Sequence, residues 1–141
     1  MAAKKVILDA SIVAKWYLTE KYSDHALRLR DAHVSGNITI AIPTLLIYEV
    51  LNVLRHSKAY SEEELIQLAR SLNKYGFECW SMSEPLKEEA VRAAYKYDVT
   101  IYDASYIALA TILNTMFYTA DEELISKTTQ LGIVKHVTCL K

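Results

Sequence analysis

Short β-branched and apolar runs alternate with longer helical stretches along the chain, and this alternation is the feature that most limits how it can fold. Strands of three to five residues separated by helices of about ten residues or more favour a parallel sheet with helices on both faces. We therefore predict an α/β fold, an α/β/α sandwich with a short-stranded parallel sheet. The predicted strands are residues 6–8, 38–42, 77–81, 116–119 and 133–137.

Capping residues mark where several helices are predicted to begin and end. Ser61 followed by Glu64 is a capping box, in which each side chain accepts a hydrogen bond from the other residue's backbone N–H. Pro43 and Pro85 suit first helical turns, and Gly76 suits the turn after a helix end. The predicted helices are residues 11–19, 23–34, 44–57, 61–75 and 85–97, one that begins at 103, and one from about 121 to about 132.

The length and the N-terminus set the expected organisation. The chain has 141 residues without a linker or an internal repeat, so we expect one domain over residues 1–141. No apolar run approaches the roughly 18 residues of a transmembrane helix. The N-terminal apolar run ends at Asp9 and is too short for a signal peptide. We therefore expect a cytoplasmic protein without a membrane segment.

Acidic residues stand where a parallel sheet would form a site. Asp9 follows the first predicted strand, Asp121 follows the fourth, and Asp103 begins the helix between the third and fourth. Sites in open parallel sheets form at the carboxyl ends of the strands. Taken singly, each acid is also explained by helix capping, because an aspartate accepts backbone N–H bonds and interacts well with the helix dipole.

Glu49 is harder to explain by local structure, because it lies between Ile47 and Val50 inside an apolar helix. Its side chain either faces solvent at the helix edge or points at the sheet edge, where burial requires a cation or another partner. If it converges with the three aspartates, the four carboxylates repel one another and raise their pKa values. A divalent metal resolves that repulsion. An all-oxygen site suits Mg²⁺ or Mn²⁺ better than zinc, and such clusters serve phosphoryl transfer.

Other common catalytic motifs are absent. The sequence contains no dinucleotide-binding glycine motif, no P-loop and no nucleophile elbow. The two cysteines, Cys79 and Cys139, form no zinc motif, and we expect both to be buried free thiols. The four histidines are scattered and are interpreted as surface or structural residues. A site built on carboxylates is therefore the main candidate.

Four short motifs surround the acids, in one order along the chain. They are Val6-Ile7-Leu8-Asp9-Ala10-Ser11, Tyr48-Glu49-Val50-Leu51, Tyr102-Asp103-Ala104-Ser105 and Tyr118-Thr119-Ala120-Asp121. Together they resemble the PIN-domain family and, more narrowly, the VapC-type toxins of toxin–antitoxin pairs. The resemblance covers nearly the whole chain, and none of the four acids departs from the family pattern.

The resemblance implies a PIN-like nuclease domain and an Mg²⁺- or Mn²⁺-dependent endoribonuclease that hydrolyses RNA phosphodiesters. It implies that Ser11 and Thr119 hold metal-bound water or orient carboxylates. Glu122 is either an additional charge near the site or an ordinary residue of the first helical turn. The catalytic residues and metal ligands implied by the family are Asp9, Glu49, Asp103 and Asp121.

The family resemblance also implies partners: an RNA substrate, a homodimer and a cognate antitoxin that inserts a segment near the site. The apolar helices at 44–57 and 61–75 are candidates for either protein surface, or for core packing alone. Several basic residues are candidates for RNA phosphate contacts, although each is also explained as a solvated charge. They are Lys15, Arg28, Arg30, Arg55 and Lys58.

Two other interpretations stay open. The chain could be a PIN-domain nuclease that matures RNA or trims DNA flaps, although the sequence lacks the large helical insertions that would clamp a flap. It could also be an interaction module that keeps the fold without catalysis.

The charge distribution favours a nuclease more than the total charge does. With 16 basic and 17 acidic residues the net charge is −1, which argues against a strongly basic nucleic-acid binder. Without the four candidate acids, 13 acidic and 16 basic residues remain, a net charge of +3. The sequence thus predicts an acidic pocket in a mildly basic surface.

Overall fold

One parallel sheet of five strands runs through residues 3–140, the part of the chain that the computed structural model describes. The strands are β1 (Lys4–Leu8), β2 (Ile38–Pro43), β3 (Glu78–Trp80), β4 (Phe117–Thr119) and β5 (Val134–His136). Their order across the sheet is β3-β2-β1-β4-β5, and every neighbouring pair is parallel. The predicted short-stranded parallel sheet is confirmed.

Seven α-helices within the same residues connect and flank the strands. Because crossovers between parallel strands are nearly always right-handed, this strand order puts the helices of the first two connections on one face of the sheet and those of the last two on the other. This arrangement confirms the predicted α/β/α sandwich. The helices are α1 (Ala10–Ala14), α2 (Ser23–Val34), α3 (Leu45–Ser57), α4 (Glu62–Leu72), α5 (Glu84–Tyr97), α6 (Ile101–Leu113) and α7 (Glu122–Lys127).

The central strand β1 carries the chain from the core to the carboxyl edge of the sheet. Its last three residues are buried, and Leu8 lies opposite Tyr118 of β4. The next residues along the chain, Asp9 just after β1 and Thr119 at the end of β4, therefore lie side by side at the carboxyl edge. This register brings together residues that are 110 positions apart in sequence.

The structure confirms the predicted helix ends whose capping signals involve only residues close together in sequence. The bounds of α2 are those predicted, and the capping box at the start of α4 is present. Ser61 donates its backbone N–H to Glu64 Oε1 at 2.9 Å, and Glu64 donates its own to Ser61 Oγ at 3.2 Å. Gly76, with φ +65°, ends the 3₁₀ turn that follows α4.

Several predicted helix bounds are wrong. The helix expected to reach residue 19 ends at Ala14, because the following N–H groups bond three residues back and the chain tightens. Those turns carry Trp16 to α2, where its indole donates to the Ala26 carbonyl at 2.8 Å. Pro43 ends β2 rather than opening α3, since pairing with β3 continues to Thr44, whose N–H donates to Trp80 at 3.0 Å. The last helix ends at residue 127, well before 132.

The expectation of buried cysteines is also wrong, because Cys79 and Cys139 are both exposed. Cys79 lies on the edge strand β3, whose side chains are incompletely covered, and Cys139 lies in a 3₁₀ turn near the C-terminus. Both are free thiols, as expected. Within residues 3–140, none of the helices is long and apolar enough to span a membrane.

Candidate functional site

The Asp9 carboxylate is held from both sides by hydroxyl groups at the carboxyl edge of the sheet. Ser11 donates its hydroxyl to Oδ1 at 2.5 Å, and its backbone N–H donates to the same oxygen at 3.1 Å. Thr119 donates its hydroxyl to Oδ2 at 2.6 Å. Asp9 is buried, with 9% of its surface exposed. Its side chain therefore has one fixed orientation and also caps α1.

The two hydroxyls are themselves oriented by the turn after β4. The Ala120 N–H donates to Ser11 Oγ at 3.2 Å, and the Asp121 N–H donates to Thr119 Oγ1 at 3.1 Å. Each hydroxyl accepts a backbone hydrogen bond and directs its own proton to Asp9. Ser11 and Thr119 are thus placed to orient a carboxylate, and their contribution to catalysis stays a prediction.

Glu49 points into the fold rather than away from it. It is half-buried on α3, and the hydroxyl of Tyr106 from α6 donates to its Oε1. Tyr106 is 1% exposed, and its ring stacks on Phe117 at 5.5 Å with an interplanar angle of 13°. Of the two placements that the sequence left open for Glu49, the structure shows the one with a partner. That partner, Tyr106, was missed because it is 57 positions away.

Asp103 is on α6, but it is not the residue that caps the helix. Thr100 is the N-cap, and its hydroxyl accepts the Asp103 N–H at 3.1 Å. The expectation that the helix begins at Asp103 is therefore wrong by two residues. Because Thr100 does the capping, the Asp103 carboxylate is free for another role, and Tyr106 lies three residues further on the same helix face.

Asp121 is the exposed member of the four acids. It caps α7 by accepting the Leu124 N–H at 3.1 Å, and it lines a cavity of about 470 Å³ together with Asp103. Glu122 lies exposed in the first turn of α7, and Glu123 rather than Glu122 lines this cavity. Lys127 lines it as well and was not singled out from the sequence.

The acids form a row in which each carboxylate acts electrostatically on the next. Burial, opposed by the two hydroxyl donors and reinforced by the charges of Glu49 and Asp103, raises the pKa of Asp9 to about 6. Burial and the charge of Asp103 raise the pKa of Glu49, whereas the Tyr106 hydroxyl lowers it. Burial and the charge of Asp121 raise the pKa of Asp103. Asp9, Glu49 and Asp103 therefore influence one another electrostatically, and Asp121 is linked to this group through Asp103.

The donor chemistry of this row fits a divalent cation with a preference for oxygen. Within residues 3–140, no three His, Cys, Asp or Glu side chains are grouped closely enough to hold one ion by themselves. Magnesium, however, usually takes one or two carboxylates and completes its coordination with water and substrate phosphate oxygens. The mutual repulsion of the acids is what such a cation would relieve. A ligand set of all four acids stays a prediction.

Without metal, the protein is expected to lose stability as the pH rises. The pKa of Asp9 is about 6 in the folded chain against a usual 3.8, so the folded state holds this proton more tightly. The contribution is fully present below pH 3.8 and is lost as the pH rises through 6, a loss of about 3 kcal/mol. Chemical unfolding in EDTA across this range, compared with Asp9→Asn, measures it. Parallel pH curves for the two proteins would contradict the expected coupling.

If Glu49 is a metal ligand, as the family resemblance implies, Tyr106→Phe is expected to weaken Mn²⁺ binding by about tenfold, the usual effect of removing a hydrogen bond to a metal-ligating side chain. The ring and its packing on Phe117 remain, so the thermal midpoint should change little. Calorimetric titration with Mn²⁺ measures the first effect. Tyr60→Phe is the matched control, because the Tyr60 hydroxyl donates to the Tyr17 carbonyl instead. Equal effects of the two substitutions would show that Tyr106 has only a structural role.

The basic residues suggested for RNA contacts do not line the acidic cavity. Lys15 pairs with Glu20 at 3.0 Å, and Arg30 pairs with Asp31 at 3.0 Å. Arg28 is exposed on α2. The remaining two, Arg55 and Lys58, line a separate cavity of about 560 Å³ between α3 and α4. Contacts of these five residues with RNA stay predictions.

Comparison with known proteins gives one consistent family. The sequence pattern of the PIN domain matches residues 6–129. The chain is similar to ribonuclease VapC3 of Pyrobaculum aerophilum, with 33% identity over 87% of this chain and 94% of the relative. It is also similar to exonuclease VapC9 of the same organism, with 29% identity over 79% of this chain and 85% of the relative. Among solved structures, a toxin–antitoxin complex from Klebsiella pneumoniae shares the fold, with a TM-score of 0.70 at 16% identity over 94% of this chain and 97% of that chain.

Proposed function

Because the chain belongs to the PIN-domain family, we propose that it is an endoribonuclease dependent on Mg²⁺ or Mn²⁺ and the toxin of a VapBC-type toxin–antitoxin pair. It hydrolyses RNA phosphodiester bonds. The similarity to ribonuclease VapC3 supports the substrate, and the shared fold with a toxin–antitoxin complex supports the biological context. We further propose one domain over residues 1–141 and action in the cytoplasm, where RNA and an antitoxin would both be met.

The observation that carries this proposal is the row of four acids at the carboxyl edge of the sheet. A divalent cation bound there would supply Lewis-acid stabilisation of phosphate charge. The chain's own residues prepare the site for such a cation and for RNA. Ser11 and Thr119 fix the Asp9 carboxylate, while Tyr106 fixes that of Glu49.

The remaining two acids define the side from which the substrate approaches. Asp103 and Asp121 face the cavity of about 470 Å³, a volume within the usual range of ligand sites, about 300–1,000 Å³. The hydroxyls of Ser11 and Thr119 are committed to Asp9 and serve as orienting groups rather than nucleophiles. Hydrolysis then adds water across the P–O bond without a covalent protein intermediate.

Circular RNA distinguishes an endoribonuclease from the other interpretations. Purified protein is incubated with a structured RNA in linear and circular form, with Mn²⁺ or with EDTA, and the cut sites are mapped. We expect discrete cuts in both forms with Mn²⁺ and none with EDTA. Degradation of the linear RNA alone would show an exonuclease instead. Cleavage of neither, together with no Mn²⁺ binding in calorimetry, would favour a non-catalytic module.

We propose a homodimer and a cognate antitoxin as the protein partners. Large aromatic side chains on α3, α5 and α6 are available at the surface for such contacts. Tyr48 is 74% exposed, Tyr95 is 86% exposed and Tyr102 is 62% exposed. Light scattering on the purified chain is expected to give twice the 16.0 kDa monomer mass. A monomer at all concentrations would contradict the dimer.

A further inference from the structure

Lys127 is placed unusually for a lysine, because it lines the cavity that contains two of the four acids. The cavity walls come from α7 with its N-cap Asp121, from the connection between α5 and α6, and from the first turn of α6. Among its described lining residues, Lys127 is the one cation, facing Asp103, Asp121 and Glu123. Its positive charge therefore lies on the wall of the same cavity as the Asp103 and Asp121 carboxylates.

The Lys127 side chain is partly exposed to solvent, and two contacts hold its ammonium at this wall. Nζ donates to the Asp98 carbonyl at 2.9 Å and lies 3.6 Å from Glu123 Oε1. Asp98 ends α5 with φ +52°, in the left-handed region, so its carbonyl belongs to a tight turn. Three N–H donors are available on an ammonium. The Asp98 carbonyl takes one, and the Glu123 pair leaves at least one more for a ligand.

An RNA strand entering this cavity needs such a group. Each nucleotide brings a negative phosphate toward a wall of carboxylates, and a cation bound at the acids would offset the charge of the phosphate that it contacts. An ammonium held on the same cavity wall offsets the negative charge of a neighbouring phosphate and positions the strand. We propose that Lys127 binds the RNA phosphate adjacent to the scissile one, an assignment that rests on the proposed nuclease function.

If Lys127 binds phosphate, removing its charge should change RNA binding and Mn²⁺ binding in opposite directions. Removing the Lys127 charge takes away an attraction for phosphate and weakens RNA binding. It also takes away a repulsion of divalent cations and strengthens Mn²⁺ binding. If Lys127 only held α7 to the turn at Asp98, its removal would weaken the binding of RNA and of Mn²⁺ together, because the site would lose its shape.

The test compares Lys127→Met and Lys127→Arg with the wild type. Binding of a short fluorescent single-stranded RNA is measured in EDTA over a range of salt, and Mn²⁺ binding is measured by calorimetry. For Lys127→Met we expect RNA affinity to fall about tenfold, as for a lost charged hydrogen bond. The slope of log affinity against log salt should shrink by about 0.7, the value for one phosphate of a single strand. Mn²⁺ affinity should rise about threefold. Lys127→Arg keeps the charge and should bind RNA like the wild type.

Lys87→Met is the matched control, because Lys87 also pairs with a glutamate, Glu84, at 3.1 Å and lies on α5 outside the cavity. It should change neither RNA nor Mn²⁺ binding. Unchanged RNA affinity and salt slope in Lys127→Met, or a joint loss of RNA and Mn²⁺ binding, would overturn the assignment. If the wild type cleaves RNA in that case, only the Lys127 assignment fails. A wild type that neither binds nor cleaves RNA would overturn the proposed function as well.

Discussion

Asp9→Asn is expected to lower metal-dependent RNA cleavage by about a thousandfold while making the metal-free protein more stable. Metal-assisted stabilisation of phosphate charge contributes several kcal/mol to such reactions, which corresponds to about three powers of ten in rate. Asn keeps one oxygen for the Ser11 N–H that Asp9 now accepts. The substitution removes the buried Asp9 carboxyl group, whose pKa is raised to about 6. Activity and stability should therefore change in opposite directions.

The stability part of this result separates a functional acid from a structural one. The relief of about 3 kcal/mol is partly offset by a weaker contact with Thr119. A rise of about 5 °C in the thermal midpoint in EDTA is expected for a chain of this size. Asp31→Asn is the control, since Asp31 is exposed and pairs with Arg30, and it should alter neither property. A destabilised Asp9→Asn would show that Asp9 serves the fold more than the site.

Asp103→Asn is expected to lower cleavage nearly as far, by about a hundredfold to a thousandfold. Asp103 is the central acid of the row, because its charge acts on Asp9 and Glu49 and is itself acted on by Asp121. Its backbone N–H, bonded to Thr100, is unaffected by the substitution. Single-turnover cleavage and Mn²⁺ calorimetry on the folded variant measure the effect.

Asp121→Asn is expected to lower cleavage less than Asp103→Asn does. Asp121 is exposed, so solvent screens its charge, and we expect a loss of about tenfold. Asparagine is as good an N-cap as aspartate, so α7 should stay intact. A loss at Asp121 that equals or exceeds the loss at Asp103 would contradict the order of the row.

The sequence predicts the elements of this fold well because their signals are local. The bounds of α2, the capping box at Ser61 and the acids after β1 and β4 all depend on residues within a few positions of each other. The predicted helix at residues 11–19 is too long because the position of Trp16 depends on its hydrogen bond to α2, which has no local sequence signal. The cysteines were misplaced because edge-strand exposure depends on the order of strands across the sheet.

The hydrogen bonds that hold the site residues in place are less predictable from the sequence, because they join residues that are far apart along the chain. The four acids are candidates from their places at strand ends and helix starts and, for Glu49, from its apolar surroundings, and the family resemblance adds the roles of Ser11 and Thr119. The contacts of Tyr106 with Glu49 and of Lys127 with Asp98 join residues 57 and 29 positions apart. Neither pair has a local sequence signal. The first contact depends on the packing of α6 near α3, and the second on the packing of α7 near the turn that follows α5.

The central claim is that these acids and a divalent cation together cleave RNA. Single-turnover cleavage of one structured RNA tests it most directly, with wild type, Asp9→Asn, Asp103→Asn and the control Asp31→Asn, each in Mn²⁺ and in EDTA. We expect the wild type and Asp31→Asn to cleave the RNA in Mn²⁺ only, and the other two variants to cleave it in Mn²⁺ at least about a hundredfold more slowly. Cleavage by the wild type in EDTA, or undiminished cleavage by Asp9→Asn and Asp103→Asn in Mn²⁺, would contradict it.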